Sequence, residues 1–170
     1  MGTAYGQQIT FATPNIGSAY LGGNIAYILQ PGDPGYDANV THGLIAMNNV
    51  VGPTTWNNGS YPTTSATGSA LGTGATNTAA IITAEGGPAD YAASDCAINF
   101  SVYNDWYLPS LDELSKVYLN RALLPSIQGV VYWSSTDAGL HNAWSQDFTT
   151  GSQTPLDQGS FFYACAIRSF

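Results

Sequence analysis

The segment 110–121 has the clearest secondary-structure pattern in the chain, and it constrains the fold more than any other stretch. Leu111 and Leu114 begin a set of apolar residues at helical spacing, which gives a helix one apolar face. Ser110 can cap this helix, and Glu113 stands three residues later, as a capping box requires. The pattern predicts an amphipathic helix whose apolar face lies against the core.

Short apolar runs bounded by glycine, proline and polar residues predict the strands. Residues 25–29 and 42–47 predict a hairpin with a long loop. Residues 130–135, 143–148 and 162–170 predict three further strands joined by polar turns. These runs together predict a small sheet.

The segments between these runs predict a loop and a second helical region. Residues 51–75 are mostly Gly, Thr, Ser, Asn and Pro and predict a loop. Residues 76–85 predict a first helix, capped by Thr76 or Asn77. A further helical piece is predicted over residues 89–96.

A chain of 170 residues suits one domain. Residues 1–16 predict an extended N-terminal arm or edge strand, and residues 17–170 predict the domain itself. No run of about 18 apolar residues occurs, so the sequence predicts no membrane insertion. The N-terminus lacks the basic start and apolar core of a signal peptide.

Charged residues make up 8% of the chain, against roughly 25% in typical soluble domains. Three residues are basic, Lys116, Arg121 and Arg168, and the formal net charge is −8. A nucleic-acid site needs several basic side chains on phosphates. The sequence therefore excludes nucleic acid as a partner, and the same argument disfavours sulfated polysaccharides and anionic membranes.

The segment 132–152 has the composition of a binding surface. Its aromatic residues alternate with Ser, Thr, Asn, Gln, Asp and His. Aromatic side chains give large contact area at low entropy cost and can stack on sugars, and amides and hydroxyls give adaptable hydrogen bonds. The predicted ligand-binding residues are Trp133, Asp137, His141, Asn142, Trp144 and Gln146. In the alternative, both tryptophans belong to the core and only the polar residues face outward.

A turn rich in proline and glycine contains Asp33, Asp37 and Asn39, which have the oxygen ligands that calcium takes. The alternating ladder of acidic residues found in calcium loops is absent, and Asx turns explain the same residues. Asp112 and Glu113 are adjacent on a predicted helix, so they point in different directions and do not form a glycosidase pair. The sequence therefore predicts no cofactor and no catalytic residues.

Arg168 stands in an apolar strand, where its charge needs a partner. The predicted partners are Asp105, Asp112 and Glu113, and Trp106 beside the first of them is predicted to be structural. A buried ion pair is the interpretation favoured over a binding role for the arginine.

The two cysteines, Cys96 and Cys165, are 69 positions apart in the sequence. Metal ligation usually uses closely spaced cysteine pairs, and this chain has none. From the residues alone, the cysteines are either two buried thiols or one disulfide.

Several motifs in order resemble the Lcl C-terminal domain family, named for the last domain of a bacterial collagen-like adhesin. They include Asp105-Trp-Tyr-Leu-Pro-Ser, Tyr132-Trp-Ser-Ser-Thr and Ala166-Ile-Arg-Ser-Phe. The resemblance covers residues 17–170. It implies an α+β, C-type-lectin-like fold, in which two helices pack on a small twisted antiparallel sheet with long loops.

The resemblance also implies a disulfide between Cys96 and Cys165. Family members are found in bacterial surface proteins and phage particles, often as trimers, and the fold is related to that of phage receptor-binding variable proteins. The basic surface that would bind glycosaminoglycans is missing from this chain.

Three functions follow as hypotheses. The first is non-enzymatic recognition of a cell-surface receptor or glycan by an extracellular adhesin or by a phage virion receptor-binding, decoration or fibre protein. The second is a structural virion or surface-assembly protein whose partners are neighbouring subunits and which binds no ligand. The third, which the sequence disfavours, is an enzyme like the sulfatase-modifying factors, because no acid–base pair or activated nucleophile can be named.

Overall fold

The structure is a computed structural model that describes residues 14–97 and 103–170. In these residues the strands are β1 (Ala19–Tyr20), β2 (Gly23–Ile28), β3 (Gly43–Thr54), β4 (Val131–Gly139), β5 (Asn142–Asp147), β6 (Gln153–Asp157) and β7 (Phe162–Ser169). The helices are α1 (Gly74–Ala84), α2 (Ala92–Cys96) and α3 (Leu111–Leu119), and a 3₁₀ turn follows at Arg121–Leu123.

All seven strands form one mixed sheet in the order β1-β2-β3-β7-β4-β5-β6. Strands β4 and β7 are parallel at Tyr132 and Tyr163, and the other neighbours are antiparallel. The last strand in the sequence therefore lies at the centre of the sheet. It joins an antiparallel set built from β1 to β3 to another built from β4 to β6.

The predicted arrangement of two helices on a small antiparallel sheet, the C-type-lectin-like fold, is wrong. The described residues form a seven-stranded mixed sheet with three short helices, although the fold remains α+β-like. Two segments account for much of the difference. Strand β3 continues to Thr54, through residues predicted to be loop, and β6 forms from a segment predicted to be a polar turn.

Helices cover both faces of the sheet. Along β7, Ala164 and Ala166 belong to the hydrophobic cluster that contains residues of α1 and α2. The alternate residues Cys165 and Ile167 belong to the cluster that contains residues of α3. Since successive side chains of a strand point to opposite faces, α1 and α2 lie on one face of the sheet and α3 lies on the other.

Helix α3 confirms the helix predicted over segment 110–121. The Ser110 hydroxyl accepts from the Glu113 N–H at 3.3 Å, and Oε2 of Glu113 accepts from the Ser110 N–H at 2.8 Å. This capping box satisfies two N–H groups that a helix otherwise leaves unpaired. Asp112, the other acidic residue of the first turn, is exposed.

The start of the first predicted helix differs from the prediction. Helix α1 begins at Gly74, so Thr76 and Asn77 lie inside it and cap nothing. The buried Asn77 amide instead donates to the Gly68 carbonyl oxygen at 2.6 Å and ties the preceding loop to the helix. Helix α2 occupies the C-terminal half of the piece predicted over residues 89–96.

The predicted ion pair of Arg168 is formed with Asp105. Two parallel hydrogen bonds of 2.7 Å join the guanidinium to the carboxylate. These bonds hold the pKa of Asp105 below its ordinary value. The guanidinium also lies over the ring of Tyr103, 4.1 Å from its centroid, and 5.8 Å from that of the buried Trp106. Arg168 thus has a structural role at the end of β7.

Both cysteines are buried free thiols in the structure, in place of the disulfide implied by the resemblance. Cys96 belongs to the cluster on the α1 and α2 face, whereas Cys165 belongs to the cluster on the α3 face. The Cys96 side chain therefore packs on one face of the sheet, and the Cys165 side chain points to the other face. Burial raises the pKa of both, to about 12 for Cys165.

The two outer strands of the sheet limit further pairing. Strand β1 has two residues, and β6 contains Pro155, which has no N–H to donate. Most of the predicted arm, residues 1–13, lies outside the described residues. In the described part of the chain, no helix is long and apolar enough to cross a membrane.

Candidate functional site

Two of the predicted ligand-binding residues lie in the core instead of on a surface. Trp133 is fully buried, and its indole N–H donates to the Thr54 carbonyl oxygen at 3.1 Å. Gln146 is 2% exposed, and its amide N–H donates to the Gly151 carbonyl oxygen at 3.2 Å. Neither side chain is accessible to a ligand.

Trp144 and Asn142 are half-buried. Trp144 lies on β5 opposite Pro155 of β6, away from the cavity described below. The Asn142 amide donates to the Leu140 carbonyl oxygen at 3.0 Å. Asn142 therefore closes the turn between β4 and β5 and supports the site without lining it.

The remaining two predicted residues, Asp137 and His141, line the same cavity, which we call the Tyr61 cavity. It has a volume of about 310 Å³ and lies beside the β4–β5 turn. Its lining residues are Tyr61, Pro62, Thr63, Asp137, Gly139, Leu140, His141 and Gln158. The structure thus brings together one end of the predicted binding segment and a loop that follows β3.

The β4–β5 turn has an unusual backbone. Gly139 pairs with Asn142, so Leu140 and His141 are the two central residues of a hairpin turn. Their φ angles are 51° and 64°. Positive φ at both central positions is characteristic of a type I′ turn, which favours Asn-Gly. Here a leucine and a histidine adopt this conformation, and such strain in non-glycine residues often accompanies functional sites.

An aromatic pair forms one wall of the cavity. The rings of Tyr61 and His141 stack with centroids 4.3 Å apart and an interplanar angle of 29°. Tyr61 is 43% exposed, and its hydroxyl lies 3.4 Å from the carboxylate of Asp157. The stack offers a ring surface to solvent beside hydrogen-bonding groups.

Hydrogen bonds fix the carboxylate of Asp137 within the cavity. One oxygen accepts from the Thr64 hydroxyl at 2.6 Å, and the other accepts from the Gly139 N–H at 2.8 Å. The backbone N–H of Asp137 donates to the Ala66 carbonyl oxygen at 2.8 Å. One bond from the loop and one from the turn hold the carboxylate, and the backbone bond to Ala66 fixes the residue that carries it.

Buried residues attach the Tyr61 loop to the sheet. The Trp56 indole N–H donates to the Ser134 carbonyl oxygen at 2.8 Å, and the Trp56 backbone N–H donates to the Gln158 carbonyl oxygen at 2.9 Å. Gln158 in turn donates its backbone N–H to the His141 carbonyl oxygen at 2.9 Å. The loop and the turn therefore hold each other through Gln158.

Sequence reasoning missed Tyr61 and Gln158. Tyr61 lies in the segment 51–75, which was predicted to be a loop. A single tyrosine next to proline in a stretch of Ser, Thr, Asn and Gly was the available signal, because a loop aromatic without apolar neighbours is often exposed. No local pattern marks Gln158, since its role depends on contacts with distant residues.

The residues considered for calcium make other contacts. Asp33 accepts from the Tyr27 hydroxyl at 2.6 Å and lies 4.0 Å from the Lys116 ammonium. Asp37 accepts from the Asn39 N–H at 2.8 Å, which is an Asx turn. Within residues 14–97 and 103–170, no group of three or more His, Cys, Asp or Glu side chains could hold a metal ion.

The Tyr61 cavity is acidic. Asp137 lines it and Asp157 is close to the Tyr61 hydroxyl, whereas no lysine or arginine is among the lining residues. The three basic side chains of the chain have other contacts. Lys116 lies near Asp33, Arg168 is paired with Asp105, and Arg121 donates to a helix carbonyl oxygen.

Comparison of the sequence with models of protein families finds no match, and no curated protein is similar enough to be a recognisable relative.

Proposed function

We propose that the chain is a non-enzymatic recognition domain that binds a neutral glycan on a cell surface at the Tyr61 cavity. The observation that supports this is the exposed stack of Tyr61 on His141 beside the fixed carboxylate of Asp137. An aromatic ring packs against the apolar face of a pyranose, and a carboxylate accepts hydrogen bonds from sugar hydroxyls. The lining of the cavity supplies both the aromatic ring and the carboxylate.

Charge favours a neutral glycan over an acidic one. The formal net charge is −8, and the lining contains a carboxylate and no lysine or arginine. An acidic sugar would bring a second carboxylate close to Asp137, and like charges at short distance repel. Sialylated and sulfated glycans are therefore the wrong class of ligand for this cavity.

The lining residues favour binding over catalysis. In the described residues, no hydrogen bond joins His141 to Asp137 or to a hydroxyl nucleophile. A nucleophile or general base needs such contacts to a partner. This supports a recognition domain rather than a sulfatase-modifying-factor-like enzyme.

The place of action in this proposal is outside the cell, on a bacterial surface or a virion. The resemblance of several ordered motifs to the Lcl C-terminal domain family supports it, since members of that family are displayed in such places. A surface kept wet by amides and hydroxyls, with 8% charged residues, is compatible with display in varied ionic conditions.

The test is binding of the purified chain to an array of neutral, sialylated and sulfated glycans. Tyr61→Ala and His141→Ala should each weaken binding to the neutral ligand by about tenfold, which corresponds to the loss of one stacking contact. Tyr36→Ala is the matched control, because Tyr36 is 39% exposed and does not line the cavity. Equal losses in Tyr61→Ala and Tyr36→Ala, or no binding to any neutral glycan, would overturn the proposal.

One observation favours the alternative of an assembly protein. Leu119 and Leu123 are 65% and 56% exposed, and Leu123 lies against Gly17, near the start of the described chain. Two large exposed apolar side chains four positions apart in the sequence are compatible with a subunit contact. If they form a trimer interface, light scattering should show a trimer that Leu119→Asp together with Leu123→Asp converts to a monomer. A wild-type chain that is monomeric at high concentration would exclude this alternative.

A further inference from the structure

A second cavity lies where the loop after β2 meets the first residues of β3 and the last residues of β7. We call it the Phe170 cavity, and its volume is about 240 Å³. Leu29, Leu44, Leu71 and Phe170 give it an apolar wall. Its polar side chains are His42, Ser169 and Glu113. This size accommodates one ring or a short aliphatic chain.

The hydrogen bond of His42 fixes which of its nitrogens carries the proton. Nδ1 of His42 lies 3.1 Å from the backbone carbonyl oxygen of Phe170. A carbonyl oxygen only accepts, so Nδ1 carries the hydrogen and donates it. The second nitrogen, Nε2, is then an acceptor in the neutral imidazole.

A chain of hydrogen bonds fixes the proton of Ser169 in the same way. The Tyr107 hydroxyl donates to Oε1 of Glu113 at 3.2 Å and lies 3.1 Å from the Ser169 hydroxyl. Burial raises the pKa of Tyr107, so this phenol stays protonated, and its single hydrogen is used in the hydrogen bond to Glu113. Ser169 must therefore donate to the Tyr107 oxygen, which leaves its own lone pairs free to accept.

Glu113 is also an acceptor, and within residues 14–97 and 103–170 no ion pair joins it to a basic side chain. Its carboxylate accepts from the N–H groups of Gly72 and Ser110, at 3.0 and 2.8 Å, as well as from Tyr107. Burial raises the pKa of Glu113, whereas the three donors directed at its two oxygens oppose this rise and favour the ionised form of the carboxyl group. The Gly72 N–H is occupied by this contact and is not free to donate to a ligand. The polar side chains that line the cavity therefore present acceptors to it.

We propose that the Phe170 cavity binds a small primary ammonium ion carried on an apolar body of about one ring. The apolar wall would hold the body. The ammonium group, with three donors and no acceptor, matches a set of acceptors that includes His42 and Ser169, and the negative charge of Glu113 behind them favours a cation. A neutral alcohol satisfies fewer of these acceptors, and a carboxylate satisfies none.

Three probes of the same shape test the charge requirement: 2-phenylethylamine, 2-phenylethanol and 3-phenylpropionate. Titration calorimetry of the full chain near neutral pH should show the amine binding at least about tenfold more tightly than the alcohol, since hydrogen bonds from a charged donor are stronger. The propionate should show no measurable binding. Equal affinity for the amine and the alcohol would overturn the proposal.

Two variants test the location. Ser169→Leu fills the cavity at a residue that is exposed, and it should abolish binding of 2-phenylethylamine. Ser152→Leu is the matched control, because it makes the same change at another exposed serine, outside this cavity. Glu113→Gln keeps a residue that can serve in a capping box and removes the charge, so it should lower the preference for amine over alcohol below that of the wild type. Unchanged amine affinity in Ser169→Leu would overturn the site.

This inference does not depend on the proposed glycan site. Tyr61→Ala should leave the affinity for 2-phenylethylamine unchanged, because Tyr61 does not line the Phe170 cavity. A loss of amine binding in Tyr61→Ala would place the amine in the wrong cavity and overturn the assignment.

Discussion

Replacing Leu140-His141 with Asn-Gly should stabilise the protein and remove the ring that stacks on Tyr61. Both residues have positive φ in the β4–β5 turn, at 51° and 64°, where side chains are strained. Asn-Gly is the pair that such turns favour. Leu140 is 96% exposed, so its replacement loses almost no packing.

The expected magnitude follows from these contacts. Positive φ costs a non-glycine residue roughly 1–2 kcal/mol, so replacing it with glycine relieves this strain. Glycine also raises the entropy of the unfolded chain, which destabilises the protein by roughly 0.5–1 kcal/mol and offsets part of the gain. Losing the Tyr61–His141 stack removes about 0.5–1 kcal/mol. His141→Gly alone should therefore be near neutral, and Leu140→Asn should add about 0.5–1 kcal/mol. The double variant should gain about 1 kcal/mol, or about 2–4 °C in Tm.

Urea denaturation and thermal melts of the two single variants and the double variant measure this gain. Leu123→Asn is the matched control, because Leu123 is also exposed but is not among the positive-φ residues of the described chain. The strain argument is refuted if the double variant is less stable than the wild type. It is also refuted if Leu140→Asn and Leu123→Asn change stability equally. Glycan binding should fall in both variants that lack His141 and persist in Leu140→Asn.

Three further perturbations test the packing. Asp105→Asn should cost at most about 1 kcal/mol near neutral pH, because the carboxylate is half-exposed. Arg168 lowers the pKa of Asp105, so the stabilisation by this ion pair is complete at pH values above the ordinary pKa of 3.8. The stabilisation is lost as the pH falls through the lowered pKa. Urea titrations at several pH values check this, and a difference that persists in strong acid would contradict it. Trp133→Ala should cost about 3–5 kcal/mol in the same assay, and an unchanged urea midpoint would show that the indole is not in the core. Cys96 and Cys165 should resist a thiol reagent in the folded chain and both react after unfolding without reductant, whereas no reaction after unfolding would show a disulfide.

Elements with local causes were predicted well. Helix α3 follows from its own sequence, because the cap residue, the acidic first turn and the apolar face all lie within one segment. An acidic partner for Arg168 was predictable because a charge in an apolar strand requires one, although the choice of Asp105 over Asp112 and Glu113 was not. In both cases the reason is contained in the residue's immediate surroundings.

Elements with distant causes were missed. Strand β6 contains Gln, Thr, Pro and Asp, and it forms because β5 offers a free edge. Strand alternation required Trp133 and its neighbour Tyr132 to face opposite sides of the sheet, but it could not show that both sides are covered by helices. That Tyr61 meets His141 depends on a pairing across about 80 residues, which no local pattern reports.

The central position of β7 affects how the chain folds. During synthesis, β1 to β3 and β4 to β6 leave the ribosome before the strand that lies between them. Each half then has an unpaired edge, at β3 and at β4, and such edges are prone to associate with other chains. The sheet closes only when residues 162–169 arrive, so folding of the whole domain is delayed until after their synthesis. A chaperone that covers these two edges would protect the nascent protein most during this interval.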